Sequence, residues 1–415
     1  LRVCQRRYGD RITFRFPRVG TYVYLADPAD ITSGFRGNPE TYHAGEANGT
    51  VLASLLGSTS VLVTDDGQHR RQRRLMAPPF HGSAVRRQED LMAEIAATEV
   101  ETWPVGSSFP LLPRMRDITL EVILGAVIGT HDEARLRVLR QVLPPVVKIE
   151  GLNLLQFLYP RLGGYWPWRR FGQLKERADA ALSHEIDLAR SAPDVEQRSD
   201  VLAMLVCARD EDGTAMSDQE LRDQLMTLLL AGHETTATSL AWTFERLVRH
   251  PDVLAQARRA ALDSDDAYLD AIITESLRVR PVILDVARRL TTSVELGPYR
   301  LPAGTILAPS IFLVHTAEQF YPDSSAWDPS RWVGRRPDTT RWLPFGGGNR
   351  RCLGAAFAAT EMRVVLREVL RRVELAPTGA RAERPKVRHV TMVPDKGAVV
   401  TVRSRQPVVA GVPRS

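Results

Sequence analysis

Residues 345–354 read Phe345-Gly-Gly-Gly-Asn-Arg-Arg-Cys352-Leu-Gly354. Three successive glycines reach backbone conformations closed to other residues, so the chain can fold tightly around the cysteine sulfur. Arg350 and Arg351 precede the cysteine, and a helical pattern opens just after it. Positive charge and a helix N-terminus both favour thiolate over thiol. A lone cysteine in a glycine-rich turn needs no function, so the spacing of the whole segment must carry the weight. The other cysteines are Cys4 and Cys207. Three widely spaced cysteines form neither a disulfide framework nor a CxxC zinc pair. Cys207 lies in an apolar run and reads as an ordinary reduced thiol.

Upstream, Ser217-Asp-Gln-Glu220 forms a capping box, and Pro251 lies just past the expected end of a long helix from Ser217 to about Arg249. Inside it stands Ala231-Gly-His-Glu-Thr-Thr236. A glycine and two threonines are poor residues for mid-helix. The Thr235 hydroxyl can reach the Ala231 carbonyl four residues back and open the helix locally. Small residues there leave space for a diatomic ligand, with Glu234 and Thr235 as proton-relay groups. His233 has no second histidine at helical spacing and reads as structural. In the next helix, which ends at Val279, Glu275-Ser-Leu-Arg278 is an i,i+3 pair of a kind that is usually solvated and weak. His69 and Arg73 are four apart and share a helix face; alone they would read as a solvated basic helix.

Working outward, the first thirty residues alternate as a hairpin split by Pro17-Arg-Val-Gly20. Residues 40–63 are apolar but loop-rich. From Asp66 to Pro251 the pattern is helical, with breaks at Pro78-Pro79, Pro104, Pro113, Pro144-Pro145, Pro160 and Pro193. Strand-like runs fill 282–312, an irregular Pro/Trp/Arg-rich region fills 318–345, a last helix spans about 354–373, and 386–403 reads as strands. There is no internal repeat, no linker and no strand–GxGxxG–helix unit. The expectation is a mainly α (α+β) fold of about a dozen helices, with small sheets from the two ends of the sequence, as one domain over 1–415.

The loop resembles the heme-binding segment of the cytochrome P-450 family, Phe-x-x-Gly-x-Arg-x-Cys-x-Gly, at all five fixed positions. Ala231-Gly-His-Glu-Thr resembles the same family's oxygen-activating helix motif, and the likeness extends over nearly the whole chain in the family's order. The resemblance implies heme b, with Cys352 as axial thiolate on the iron, and O2 as co-substrate. Thiolate ligation favours O–O cleavage. It places Phe345 against the ligand side of the heme, and Arg350, His69, Arg73 and Arg288 on its propionates, with Arg289 a close competitor for the last place. Ala231 lines the oxygen site, Thr235 steers protons and Glu234 connects to solvent. Glu275 and Arg278 would be buried and joined by Arg331, from Asp328-Pro-Ser-Arg331-Trp, to lock the loop that presents Cys352. The substrate-contacting regions would be 44–62, 148–171, the Leu228–Thr236 face, 282–286 and 391–395, most of them apolar.

The chain has 415 residues, 44% hydrophobic and 25% charged, ordinary for a globular protein and excluding a disordered or fibrous one. The net charge is +6, and only Lys148, Lys175, Lys386 and Lys396 are lysines. No basic tract interleaved with aromatics supports nucleic-acid binding. The basic excess instead suits an acidic electron donor: a ferredoxin with its NAD(P)H-dependent reductase, since no fused reductase domain is seen. Arg70, Arg71, Arg74, Arg350 and Arg351 are the candidate contacts. The substrate is expected to be a lipophilic small molecule. Residues 151–171 hold six of the 28 aromatics and suit an entrance lid or a peripheral membrane contact, or plain core packing. No run reaches a membrane span, so a cytoplasmic monomer is expected; the opening Leu1 leaves a preceding segment open. The rival readings are a peroxide-driven peroxygenase or an isomerase on the same heme, and, from another class, a heme gas sensor or lipid carrier.

Overall fold

The structure, a computed structural model, describes residues 1–17, 20–147, 168–388 and 390–406. Among them are fifteen α-helices and four small sheets, the mainly helical architecture expected. Its axis is the helix Asp218–Leu247, thirty residues long. Both halves of its capping box are present: Glu220 N–H donates to Ser217 Oγ at 3.2 Å, and Ser217 N–H to Glu220 Oε2 at 2.9 Å. Leu221, Leu225, Leu240, Trp242 and Phe244 are all buried. An element apolar around its circumference belongs at the centre of a domain. It packs against Leu111–Val122 on one side and Ala355–Arg372 on another.

The N-terminal hairpin forms as expected, with Phe14 opposite Tyr22 and Phe16 opposite Gly20; turn residues 18 and 19 lie outside the described residues. The hairpin then joins a five-stranded sheet with distant segments. Gly20–Leu25 runs parallel to Ile306–Pro309, which pairs antiparallel with Arg288–Leu290, which pairs with Tyr42–His43. A second sheet joins Ser108–Pro110, Val399–Arg405 and Val373–Leu375.

Three local expectations are corrected. Residues 44–56 form a helix rather than a loop, because the Asp65 carboxylate, twenty residues away, accepts the N–H groups of Gly45 and Glu46 at its N-terminus, at 2.9 and 2.8 Å. Pro144 and Pro145 do not break the chain but sit inside Glu133–Val147, which forgoes the backbone bonds of those two residues. A helix at Pro28–Arg36 follows the hairpin, started by Pro28 and by Asp27, which accepts from Ala29 and Asp30 N–H. The aromatic segment 151–171 falls mostly outside the described residues; Trp168–Ser191 is a helix. No described helix is long and apolar enough to cross a membrane.

Candidate active site

The cysteine loop is closed on itself. Cys352 N–H donates to the Phe345 carbonyl at 2.8 Å, Gly346 N–H to Leu343 at 2.9 Å, and Arg351 N–H to Gly348 at 3.1 Å. Gly348 has φ +65°, and a Cβ there would collide with the Phe35 carbonyl, so this position demands glycine. The loop's start is pinned by His315, buried and neutral, whose Nε2 accepts the Leu343 N–H at 2.8 Å. Trp342 packs edge-on to Phe345 and donates its indole N–H to the Thr274 carbonyl at 3.1 Å.

Cys352 is accessible at its surface yet densely surrounded by protein. Both hold for a side chain that looks into an interior cleft. Burial pushes its thiol above the ordinary value, while the Gly354 N–H, Arg351 and Arg73 pull the other way. Charge and the helix start favour thiolate as expected, but desolvation outweighs them, and Arg350 points elsewhere. A bound cation at sulfur would supply the missing stabilisation.

Ala231 is exposed and Thr235 half-buried within a helix whose flanks are sealed in the core. The Thr235 hydroxyl donates to the Ala231 carbonyl, as expected. Glu234 is not free to meet solvent. Arg116, from Leu111–Val122, grips both its carboxylate oxygens, Nε donating to Oε2 at 2.7 Å. His233 is buried with Nδ1 2.9 Å from the Thr119 hydroxyl, in keeping with a structural residue.

The expected propionate residues come together. His69 is 2% exposed, and its pKa falls to about 3, first through burial and then through Arg350, Arg73, Arg288 and Arg70. Burial lowers Arg288 and Arg350 to about 10, so both stay charged at neutral pH. Arg350 is bonded to the Val61 and Thr64 carbonyls at 3.0 and 2.6 Å and to Asp65; Arg73 donates to the Arg351 carbonyl at 2.6 Å. Strand alternation separates the two competitors: Arg288 turns inward over Phe35, while Arg289 lies on the opposite face, 3.2 Å from Glu46. Asp65 is the carboxylate bonded within this group, so three buried or half-buried guanidiniums face one acid.

Glu275 and Arg278 are fully buried and bidentate, at 2.7 and 2.8 Å. Arg278 also donates to the His315, Ser324 and Ala326 carbonyls. Arg331 approaches Glu275 only to 3.6 Å; the Trp332 indole N–H at 2.8 Å and the Asp328 N–H at 3.0 Å are the closer partners. Trp342, bonded beside Glu275 at Thr274, ties this knot to the cysteine loop.

Arg116, Asp65, Trp332 and His315 carried no local signal, since their partners lie far along the chain. Asp285 was also missed, in a stretch read as apolar. Its carboxyl has no hydrogen bond among the described residues, and burial raises its pKa to about 6. The folded-state value lies above the unfolded 3.8, so the ionised carboxylate destabilises the fold as pH rises through this window. Asp285→Asn should therefore stabilise the protein by about 2 kcal/mol at pH 8. The gain should shrink below pH 6 and vanish near about pH 3, where both states are protonated. Thermal melts at the two pH values check this; equal gains at both would refute it.

The residues fit a flat metal-bearing group with two carboxylates. One thiol is accessible within a crowded surround, surplus guanidiniums gather near it, and a small exposed residue opens the central helix. Among the described residues, no three His, Cys, Asp or Glu side chains group to hold a metal without it.

The fold and this site define a heme-thiolate protein. The chain belongs to the cytochrome P450 family, whose model, described as Cytochrome P450, matches residues 1–402. It is a monooxygenase that uses heme b and O2. It is 53% identical over 416 aligned positions to a Mycobacterium tuberculosis protein named cytochrome P450 135B1, covering 99% of this chain and 88% of that one. It is 38% identical to another from that species named cytochrome P450 135A1, over 95% of this chain and 88% of that one. A retinoic acid-bound cyanobacterial CYP120A1 structure shares the fold, with TM-score 0.83 and 22% identity over 98% of this chain and 94% of that one. CYP175A1 from Thermus thermophilus does so with TM-score 0.74 and 23% identity, over 96% and 93%.

Proposed function

We propose that the chain works as one catalytic domain that hydroxylates or epoxidises a lipophilic small molecule, with electrons from a separate ferredoxin and its NAD(P)H-dependent reductase. The observation that carries the site assignment is the accessible yet crowded Cys352 beside three guanidiniums and a buried neutral His69. Cys352 Sγ would bind the iron, Arg73, Arg288, Arg350 and His69 would hold the two propionates, and Phe345 would pack beside the sulfur. When bound, the heme supplies the thiolate-ligated iron at which O2 is reduced and one oxygen atom is passed to the substrate. Ala231 would leave room for O2 at the helix opening. Thr235 Oγ1, which donates to the Ala231 carbonyl, would hold a proton there. Glu234, once released from Arg116, would take a proton from solvent and pass it to Thr235. Glu275, Arg278 and Arg331, with Trp332, hold the loop.

The lipophilic substrate is supported by the retinoic acid of a structural neighbour and by the apolar run Val282, Ile283 and Leu284. The donor surface is narrower than expected. Arg71 is tied to Asp210 and Glu220, Arg74 pairs with Glu211, and Arg350 is buried; Arg70 and Arg351 remain exposed. Reconstitution with a bacterial ferredoxin and reductase, NADPH, and retinoic acid, a fatty acid and a steroid tests the reading. It predicts NADPH-dependent oxygenation of at least one of them; turnover with peroxide alone would overturn it.

Thr235→Ala should leave the heme spectrum intact and cut the product formed per NADPH by about tenfold, since one positioned proton group is lost. Unchanged coupling would remove Thr235 from the relay.

A further inference from the structure

One face of the five-stranded sheet has chemistry that the oxygenase site does not use. Strand alternation places Phe14, Phe16, Tyr22 and Tyr24 on one side of the hairpin. Their rings form a closed quartet: Phe16–Tyr22 at 5.4 Å, Tyr22–Tyr24 at 6.4 Å, Tyr24–Phe14 at 5.5 Å and Phe14–Phe16 at 6.1 Å. Tyr22 and Tyr24 stand opposite Ile306 and Ala308, and Asp285 opposite Ser310, so all three share this face. The Asp285 carboxylate acts on both phenols. Neither phenol nor the carboxylate has a hydrogen-bond partner among the described residues, and Phe16 is 44% exposed.

The charges on this face do not cancel the acid. Arg289 lies on it, but Arg289 is paired with Glu46 at 3.2 Å. Asp285 is left as the unpaired charge beside an aromatic surface. The segment carrying it connects the two halves of the site. At one end the Val282 carbonyl accepts the Met392 N–H at 2.9 Å, and the Met392 carbonyl accepts the Trp242 indole of the central helix at 2.7 Å. At the other end stands Arg288, beside His69. Arg288 itself turns to the other face, so a ligand held among Asp285, Tyr22 and Tyr24 lies across the sheet from the reaction site.

We propose that Asp285, Tyr22 and Tyr24, with the faces of Phe14 and Phe16, bind the ammonium group of a lipophilic organic cation at a site separate from the reaction site. Aromatic faces attract a cation through their quadrupoles, and a desolvated carboxylate adds its charge. The recognition uses none of the oxygenase residues and stands apart from that reading.

The test is calorimetric titration of the heme-loaded protein with decyltrimethylammonium below its micellar concentration, with decanoate and decanol as equal-length controls. The cation should bind about tenfold tighter than decanoate. Asp285→Asn and Tyr24→Ala should each weaken the cation about tenfold and leave decanol within about twofold. Asp285→Asn should also melt higher at neutral pH, so lost binding cannot be assigned to damaged folding. Equal affinities for cation and anion, or a preference that survives Asp285→Asn, would overturn the proposal. Heat of binding does not depend on iron ligation, so failure of the heme assignment would appear separately, in the carbon monoxide spectrum.

Discussion

Glu275→Gln should lower stability by about 3–5 kcal/mol and yield protein that loses heme. The reason is the environment of Arg278, which is fully buried and has Glu275 as its paired acid. Glutamine keeps the shape but leaves the guanidinium charge uncompensated. Three carbonyl bonds to residues 315, 324 and 326 would then hold a cation without its counter-charge. The same helix anchors Trp342 through Thr274, so loosening it frees the cysteine loop. Arg331→Ala should cost only about 1 kcal/mol, because Arg331 meets Glu275 at 3.6 Å and is partly exposed. Denaturant titrations and the heme-to-protein ratio measure both variants. Equal losses for the two would contradict this ranking.

Cys352→Ala should abolish oxygenation and remove the thiolate signature from the reduced carbon monoxide spectrum. The Phe345–Cys352 backbone bond and the glycine turns do not use the sulfur, so the loop should keep its shape. Cys352→His should retain heme with a histidine-type spectrum and without oxygenase activity, since a neutral imidazole does not push electron density onto iron as a thiolate does. Full turnover in either variant would place the ligand elsewhere.

Much of this site was legible because its parts are contiguous. The cysteine loop lies in ten consecutive residues, and the His69/Arg73 face and the Glu275/Arg278 pair are set by helical period. What was not legible depends on tertiary partners. Arg116 grips Glu234 from 118 residues away, and Asp65 meets Arg350 across 285. The choice between Arg288 and Arg289 turned on which face of the sheet each takes. The helix at 44–56 was hidden because its cap, Asp65, lies outside it. Asp285 was hidden because its neighbours looked apolar. The weight of burial at Cys352 was hidden because it cannot be read from two adjacent arginines.

The central claim is that Cys352 is the thiolate that holds the heme iron. Purified protein loaded with one equivalent of heme b, reduced with dithionite and exposed to carbon monoxide, tests it most directly. The account predicts the red-shifted Soret band of thiolate ligation, lost in Cys352→Ala. A histidine-type band from folded, heme-loaded wild-type protein would contradict it.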